Sequence, residues 1–264
     1  MTEGCVLVEQ REHVLLVTLN RPEVRNAVDR FVHEGVGNAL ELAEHEPAIR
    51  CVIITGAGDK AFCAGADLLA LSRGEPLMPA DRDKRKWGFA GIASHPISKP
   101  TIGCINGDAF GGGLEIALAC DLAVAVDTAR FGLPEPKRGL FAAAGGVFRL
   151  PRQLPYKIAM EMILTGDPID AQRALALGLV NTLSPRETLL DAAFALAARI
   201  AANAPLAVQA AKRVANGIIA GAVAEEEDAW ALSNQEIIAI LSTQDLREGT
   251  RAFAEKRPPN WSAR

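Results

Sequence analysis

Residues 101–119 read TIGCINGDAFGGGLEIALA, and this stretch joins a strand pattern to a helix pattern through Gly111, Gly112 and Gly113. The first residues are apolar or β-branched, as in a buried strand, and the last are strong helix formers. Glycines at the start of a helix leave backbone N–H groups open to a ligand at the positive end of the helix dipole. The stretch contains neither the G-K-[ST] of a P-loop nor a dinucleotide-binding G-x-G-x-x-G. It therefore predicts α/β architecture with half of an oxyanion hole.

The same alternation of strands and helices extends through the first three quarters of the chain. The spacing of apolar residues predicts a hairpin, further buried strands and two helical stretches. We expect strands at 5–9, Val14–Leu19, 51–55, Thr101–Ile105 and Leu122–Val126, an amphipathic helix at 29–44 and helical material at 79–94. Strands near residues 14, 51 and 101 also indicate a repeated unit of roughly 40 to 50 residues.

From Ala171 onward the sequence becomes rich in alanine and poor in β-branched runs, which predicts a helical tail. The helical segments are expected at 192–202, 206–215 and 222–241. We therefore expect a core over residues 1–200 that holds the site, followed by a C-terminal α-helical region over residues 201–264.

The 264 residues are 49% apolar and 23% charged, which is typical of a packed globular protein and excludes a disordered or fibrous chain. A net charge of −4 gives no long-range attraction to nucleic acid or to an anionic membrane. The sequence has neither an apolar run of about 18 residues nor a basic and apolar leader. The cysteines lack the spacing of a zinc site or disulfide framework: Cys5, Cys51, Cys63, Cys104 and Cys120. We expect a reduced, cytoplasmic protein without a metal or membrane partner.

Two further segments carry residues suited to chemistry. KAFCAGADL at 60–68 has small residues that leave N–H groups accessible, and Asp67 is a favourable N-cap for a following helix. FGLPEP at 131–136 holds Glu135 between two prolines, which stiffens the loop. Glu115 lies about one helical turn after Gly112, so its carboxylate projects near the same helix end. Taken singly, the 60–68 segment fits a tight turn before a helix, Glu115 fits a carboxylate that complements the helix dipole, and Glu135 fits a surface loop. Together they indicate a paired acid and base beside backbone donors.

In this order and spacing, the segments resemble the enoyl-CoA hydratase/isomerase family of the crotonase superfamily. The resemblance runs from LNRP at 19–22, through F-x-A-G-A-D and G-G-G-x-E, to FAEKR at 253–257. It implies the crotonase fold, a superhelix of β-β-α units with a C-terminal helical trimerisation region. It also implies a homotrimer or a dimer of trimers, with an acyl-CoA thioester as substrate and no cofactor.

The resemblance assigns roles to individual residues. Ala66 and Gly112 match the positions whose N–H groups hold the thioester oxygen. Glu115 and Glu135 match the two catalytic glutamates, with Glu115 expected to activate water and Glu135 to supply the proton at Cα. Because the two carboxylates share one site, they should titrate as a coupled pair.

The resemblance also implies a binding site for coenzyme A, whose phosphates require local cations. Arg25 matches a segment that lines the CoA site, Phe253 would lie beside the pantetheine, and Lys256 would reach the nucleotide end from a neighbouring subunit. The expected contacts are Arg25, Ala27, Ala64, Ala66, Asp67, Leu68, Gly112, Phe253 and Lys256.

Two glutamates favour enoyl-CoA hydratase activity, the reversible syn addition of water to a 2-trans-enoyl-CoA. The alternative is another crotonase activity, such as enoyl-CoA isomerisation or a carnitinyl-CoA-type dehydration. The loop after Glu135 departs from the family pattern, because Pro136 and Lys137 follow it and AAAGG stands at 142–146. We expect this loop to be shaped differently, with more effect on acyl-chain specificity than on the chemistry. A non-catalytic acyl-CoA or RNA-binding role is a further alternative. The predicted helix after Asn26 is rich in glutamate and has no lysine, which disfavours RNA.

Overall fold

The computed structural model describes residues 4–264, and its strands alternate with helices along most of the chain. The strands are β1 (Val6–Arg11), β2 (Val14–Leu19), β3 (Cys51–Gly56), β4 (Ala61–Cys63), β5 (Thr101–Ile105), β6 (Asp108–Phe110), β7 (Leu122–Val126), β8 (Arg130–Gly132), β9 (Ile169–Asp170), β10 (Thr182–Ser184), β11 (Ile218–Ile219) and β12 (Ala222–Val223). The α-helices are α1 (Arg30–His45), α2 (Leu68–Ser72), α3 (Arg82–Arg85), α4 (Gly112–Ala119), α5 (Gly146–Gln153), α6 (Tyr156–Thr165), α7 (Ala171–Leu177), α8 (Leu189–Ala201), α9 (Pro205–Asn216), α10 (Glu227–Leu241) and α11 (Gln244–Glu255).

The main sheet has the strand order β1-β2-β3-β5-β7-β10. Only the β1-β2 hairpin pairs antiparallel, and the remaining neighbours pair in parallel. Every residue of β3 and β5 is buried, as expected for central parallel strands covered on both faces. The predicted hairpin, central strands and first helix are thus confirmed, and Asp29 caps α1 by accepting bonds from the N–H groups of Phe31 and Val32.

A second, smaller sheet has the order β4-β6-β8-β9. Its first three strands are parallel, and each follows directly after a strand of the main sheet: β4 after β3, β6 after β5 and β8 after β7. The chain therefore places one strand in each sheet before it enters the next helix or turn. These β-β-α units confirm the repeat that the resemblance implies.

The second sheet determines where the candidate residues meet. The carboxyl ends of parallel neighbours lie at one edge of a sheet, and Ala66, Gly112 and Glu135 each follow β4, β6 or β8 within a few residues. Segments far apart in sequence are consequently gathered at that edge.

Two sequence predictions are wrong. Residues 79–94 form only the short α3 and a 3₁₀ turn at Phe89–Gly91, because Gly88, Ala90 and Gly91 have positive φ angles that a helix does not accommodate. The tail beyond Ala171 is mostly helical as predicted, with α8, α9 and α10 in the expected segments, but residues 222–226 form β12 and a 3₁₀ turn where a helix was predicted. In addition, β10 joins the main sheet beside β7. Its short run of Thr, Leu and Ser lacks the apolar length by which sequence patterns reveal strands.

The C-terminal helices differ in how they pack. α8 lies against the main sheet and buries Leu189, Ala193 and Ala197, whereas α9 buries none of its residues. Among residues 4–264, no single helix is long and apolar enough to cross a membrane. One pair bent by 102°, Arg186–Ala201 with Pro205–Asn216, satisfies the requirements of length and composition together.

Candidate active site

The first donor segment runs alongside the segment that precedes α1. The N–H of Ala64 donates to the carbonyl of Arg25 at 3.0 Å, and Val28 pairs with Ala66 in a parallel bridge. Asp67 then starts α2, and its carboxylate accepts the N–H of Ala70 at 2.9 Å. The predicted N-cap is confirmed, and the expected CoA segment lies directly beside Ala66.

The second donor segment is the start of α4, and it packs tightly against the first. A Cβ built on Gly65 would lie 3.0 Å from the backbone nitrogen of Gly112. A Cβ on Gly112 would overlap the ring of Phe89, and one on Gly113 would overlap the carbonyl oxygen of Cys63. Only glycine therefore permits this approach of α4 to the residues after β4.

The N–H groups of Ala66 and Gly112 are available for a ligand. Across residues 4–264, neither group donates to a backbone or side-chain acceptor. For Gly112 this follows from its place in the first turn of a helix, where N–H groups have no intrahelical partner. Two free donors on adjacent segments are what stabilisation of an oxyanion requires.

Glu115 lies on the first turn of α4, and only 4% of it is exposed. Its Oε1 accepts the N–H of Gly146 at 2.9 Å, and the backbone of Ala144 also acts to lower the pKa of this carboxyl group. The AAAGG stretch at 142–146 thus supplies, through Gly146, the N–H group that holds Glu115. In the sequence, this stretch stands out only as a departure from the family pattern.

Glu135 begins a 3₁₀ turn, Glu135–Arg138, immediately after β8. A Cβ on Gly111 would lie 2.8 Å from Oε1 of Glu135, so the carboxylate lies against the start of α4. Its Oε2 is buried and has no hydrogen-bond partner in the described part of the chain. A buried carboxylate oxygen without a partner costs free energy unless a substrate or water engages it.

The two carboxyl groups perturb each other. Burial raises the pKa of Glu115, the charge of Glu135 raises it further, and the N–H groups of Gly146 and Ala144 oppose the rise. Burial also raises the pKa of Glu135, while its own N–H and the Arg138 guanidinium act in the opposite direction. Both shifts favour retention of a proton by the pair, and two carboxyl groups that share one proton are suited to act as an acid and a base.

The other predicted contacts lie around these donors. Ala27 is buried, Ala64 and Leu68 are half-buried and Arg25 is exposed. The carboxylate of Asp67 is engaged by Arg21 at 2.9 Å in addition to its capping bond, so a CoA contact from Asp67 would use its backbone.

Phe253 and Lys256 lie at the end of α11, which packs on the Glu135–Arg138 turn of its own chain. The guanidinium of Arg138 lies 4.2 Å from the centroid of the Phe253 ring. Lys256 is exposed and ends the helix in the left-handed conformation. A single chain thus places Phe253 against the turn that begins at Glu135, whereas the resemblance assigns Lys256 to a neighbour's site.

Four residues that no sequence pattern marks as functional support the site. Arg21 connects Asp67 and the carbonyl of Ala27, Phe89 covers Gly112, Arg138 lies beside Glu135, and Arg149 packs under the loop that holds Glu115. Their partners are distant in sequence, so local patterns give no signal for them. Only Arg21, inside the LNRP motif, was within reach of motif analysis.

Comparison with known proteins agrees with this geometry. The family model described as enoyl-CoA hydratase/isomerase matches residues 9–264. Carnitinyl-CoA dehydratase of Proteus mirabilis is 40% identical over 259 residues, covering 96% of this chain and 97% of that protein. That of Citrobacter koseri is 41% identical over 254 residues, covering 95% of each chain.

Solved structures give the same result. Carnitinyl-CoA hydratase from Mycobacterium avium superposes with a TM-score of 0.97 and 53% identity, over 99% of this chain and all of that one. An enoyl-CoA hydratase from Mycobacterium tuberculosis has a TM-score of 0.76 and 43% identity, covering 99% and 100% of the two chains. The sequence, the paired β-β-α units and these relatives show that the chain has the crotonase fold and belongs to the enoyl-CoA hydratase/isomerase family of the crotonase superfamily.

Proposed function

We propose that the protein catalyses the reversible addition of water to a 2-trans-enoyl-CoA, giving a 3-hydroxyacyl-CoA. The observation that carries this proposal is the pairing of buried Glu115 and Glu135 beside the free N–H groups of Ala66 and Gly112. From membership of the family we infer that the substrate is an acyl-CoA thioester and that the reaction is a hydration or a dehydration.

In the proposed mechanism the thioester oxygen accepts hydrogen bonds from Ala66 and Gly112. Glu115 takes a proton from water while the water oxygen bonds to Cβ, and the electron pair of the double bond moves onto the thioester as an enolate. Glu135 then gives its proton to Cα as the enolate collapses. One proton has passed from Glu135 to product and one from water to Glu115, so redistribution within the pair resets the enzyme. An oxyanion donor contributes about 3 to 4 kcal/mol in hydrolases that use one.

A carnitinyl-CoA-type dehydration is the second candidate. The curated relatives at 40% and 41% identity carry that name, and so does the M. avium structure as a carnitinyl-CoA hydratase. Carnitinyl-CoA is itself a 3-hydroxyacyl-CoA with a trimethylammonium group on C4, so both candidates use the same proton transfers. They differ only in what surrounds the acyl terminus.

A panel of CoA thioesters separates these candidates. Purified protein is incubated with short, medium and branched 2-enoyl-CoAs, with carnitinyl-CoA and with a 3-enoyl-CoA. Loss or gain of the conjugated-thioester absorbance is followed, and mass spectrometry identifies gain or loss of one water. The highest kcat/KM on a 2-enoyl-CoA supports hydratase activity, and the highest on carnitinyl-CoA supports the second candidate. Faster conversion of the 3-enoyl-CoA than of every other thioester would contradict both candidates and indicate isomerase activity.

We also propose that the α-helical region over residues 201–264 joins the chains into a homotrimer or a dimer of trimers. Large apolar side chains on α9 and α10 are exposed in the single chain, among them Val214 at 83% and Ile238 at 70%. Burial of such side chains favours association. Light scattering should give three or six times the 28.0 kDa chain mass, and Val214→Asp with Ile238→Asp should lower it. A single-chain mass for the unmodified protein would contradict the proposal.

A further inference from the structure

The loop that holds Glu115 is the start of α5, and the side chain of Arg149 on that helix packs back against it. The N–H of Arg149 donates to the carbonyl of Gly145 at 2.9 Å. A Cβ built on Gly145 would lie 3.2 Å from Nη1 of Arg149 and 3.4 Å from its Cζ. Gly146, the next residue, donates the 2.9 Å hydrogen bond to Oε1 of Glu115. The guanidinium therefore packs against the backbone that orients this carboxylate.

Glu226, from the turn before α10, fixes that guanidinium. Nε of Arg149 donates to Oε1 of Glu226 at 2.9 Å, and Nη2 donates to Oε2 at 2.6 Å, a two-pronged geometry that allows little rotation. Nη2 also donates to the carbonyl of Ala93 at 2.8 Å. The side chains of Arg149 and Glu226 are 12% and 9% exposed.

Aromatic rings complete this cluster. Trp230 donates from Nε1 to Oε2 of Glu226 at 3.3 Å and meets Phe148 edge to face, with ring centroids 5.0 Å apart. The Arg149 guanidinium lies 5.5 Å from the Trp230 ring centroid. The Arg149–Glu226 ion pair thereby joins three parts of the chain: the segment before β5, helix α5 and the C-terminal region.

Stability alone is a weak reason for such a pair. Removing two charges from water carries a large desolvation penalty, and well-packed apolar residues often stabilise a fold equally well. Moreover, Nη1 of Arg149 is buried without an acceptor anywhere in residues 4–264, so part of the guanidinium is unsatisfied. A cation retained at that cost beside the Glu115 loop points to a role in the site.

We propose that Arg149, held by Glu226, is a positioning residue that fixes the Ala144–Gly146 loop and so the orientation and charge of the Glu115 carboxylate. This inference rests on the proposed function in which Glu115 acts on water. It also makes the C-terminal region part of the catalytic apparatus, since Glu226 lies outside the strand and helix units that carry the glutamates.

The charged groups around Glu115 define the expected pH response. Glu135 faces it from the turn after β8, and Arg149 lies beneath it on α5. Glu226 neutralises Arg149, and Arg152 approaches Glu226 at 3.6 Å from the solvent side. Loss of the Arg149 cation should disfavour the ionised form of Glu115, whereas loss of the Glu226 anion should favour it.

The test uses full-length Arg149→Met, Arg149→Lys and Glu226→Gln variants, with Arg152→Met as the matched control. Arg152 also contacts Glu226, but its side chain is 47% exposed. We expect Arg149→Met to lower kcat on the order of 10- to 100-fold through misplacement of Glu115, with little change in KM. The apparent pKa values of the kcat/KM profile should rise in Arg149→Met and fall in Glu226→Gln. Arg149→Lys should keep the unmodified pH profile with reduced kcat, and Arg152→Met should match the unmodified enzyme.

If the ion pair served only to stabilise the fold, Arg149→Met and Glu226→Gln would both lower thermal stability without shifting the pH profile in opposite directions. That result would overturn the inference. An unchanged kcat in Arg149→Met would do the same. If Arg149→Met does not fold, Glu226→Gln and Arg149→Lys carry the test. A readout without turnover separates this inference from the proposed function: ¹³C NMR titration of the Glu115 carboxyl in the unmodified protein and in Glu226→Gln. A lower Glu115 pKa in Glu226→Gln supports the inference even if every thioester proves inert, and an unchanged pKa contradicts it.

Discussion

The Oε1 of Glu115 accepts a 2.9 Å hydrogen bond from the backbone N–H of Gly146, which ties the carboxylate on α4 to the first residue of α5. The bond holds a buried acid in one orientation while burial and Glu135 raise its pKa. Four predictions follow from this arrangement and from the donor segments beside it.

Replacing either glutamate should remove most of the activity while leaving the fold intact. The amide oxygen of Glu115→Gln can still accept the Gly146 bond, but it cannot take a proton from water. We expect kcat to fall about 10²- to 10⁴-fold in Glu115→Gln and Glu135→Gln. Steady-state kinetics measure the loss, and calorimetric binding of an unreactive acyl-CoA shows whether affinity survives. Exposed Glu161→Gln on α6 is the matched control, and equal losses there would contradict the assignment.

The same glutamates should make folding stability depend on pH. The folded protein keeps protons on Glu115 and Glu135 that the unfolded chain releases above about pH 4.5, because both folded-state pKa values are raised. The free energy of unfolding should therefore decrease as the pH rises from about 4.5 through the raised values, by about 1.4 kcal/mol for each unit of difference in one group. The difference in free energy of unfolding between Glu115→Gln and the unmodified protein should therefore be more favourable to the variant at pH 9 than at pH 5. Denaturant unfolding at fixed protein concentration measures this, and an equal effect at both pH values would refute it.

Adjacent glycines at the start of α4 should respond differently to alanine. In Gly113→Ala the new methyl meets the backbone oxygen of Cys63, which cannot move alone, so we expect a loss of about 1 to 3 kcal/mol of stability. In Gly112→Ala it meets the Phe89 ring, a side chain that can shift, so catalysis should suffer more than stability. Thermal unfolding and kcat of both variants decide the matter. If Gly112→Ala lost as much stability as Gly113→Ala, the Phe89 ring would not be the movable neighbour of Gly112 that we describe.

Arg25 and Lys256 should act on the nucleotide end of the substrate rather than on the chemistry. Both side chains are exposed, and no ion pair within residues 4–264 holds either of them. Arg25→Ala and Lys256→Ala should raise KM for CoA thioesters, most strongly at low salt, with kcat unchanged. Truncated thioesters without the nucleotide should show no such effect. Exposed Lys157→Ala is the control, and a similar rise in KM there would indicate a bulk charge effect.

Patterns along the sequence predicted the main sheet well, because its central strands are apolar throughout. They also indicated the site, since glycines at a helix start and a glutamate between prolines are unusual wherever they occur. The second sheet escaped notice because β4, β6 and β8 have three residues each, too few to show a period of two. It is nevertheless this sheet that brings the donor segments and glutamates together.

The features that the sequence did not predict depend on contacts between residues far apart in the chain. The 79–94 segment has the composition of a helix, but Trp87 packs over Gly37 and the Gly91 backbone lies against α1, which hold it in turns. Arg149 and Glu226 lie 77 residues apart, so neither periodicity nor local spacing pairs them. Tertiary packing, which local sequence patterns do not reveal, therefore determines both the turns at 79–94 and the Arg149–Glu226 pair.

The central claim is that Glu115 and Glu135 together add water across the double bond of an enoyl thioester. Its most direct test is conversion of a 2-enoyl-CoA in H₂¹⁸O and, separately, in D₂O, with mass spectrometry and NMR of the product. The unmodified enzyme should place one ¹⁸O at Cβ and one deuterium at Cα, and Glu115→Gln should introduce neither label at a comparable rate. Absence of label from every thioester in the panel, or undiminished labelling by Glu115→Gln, would contradict it.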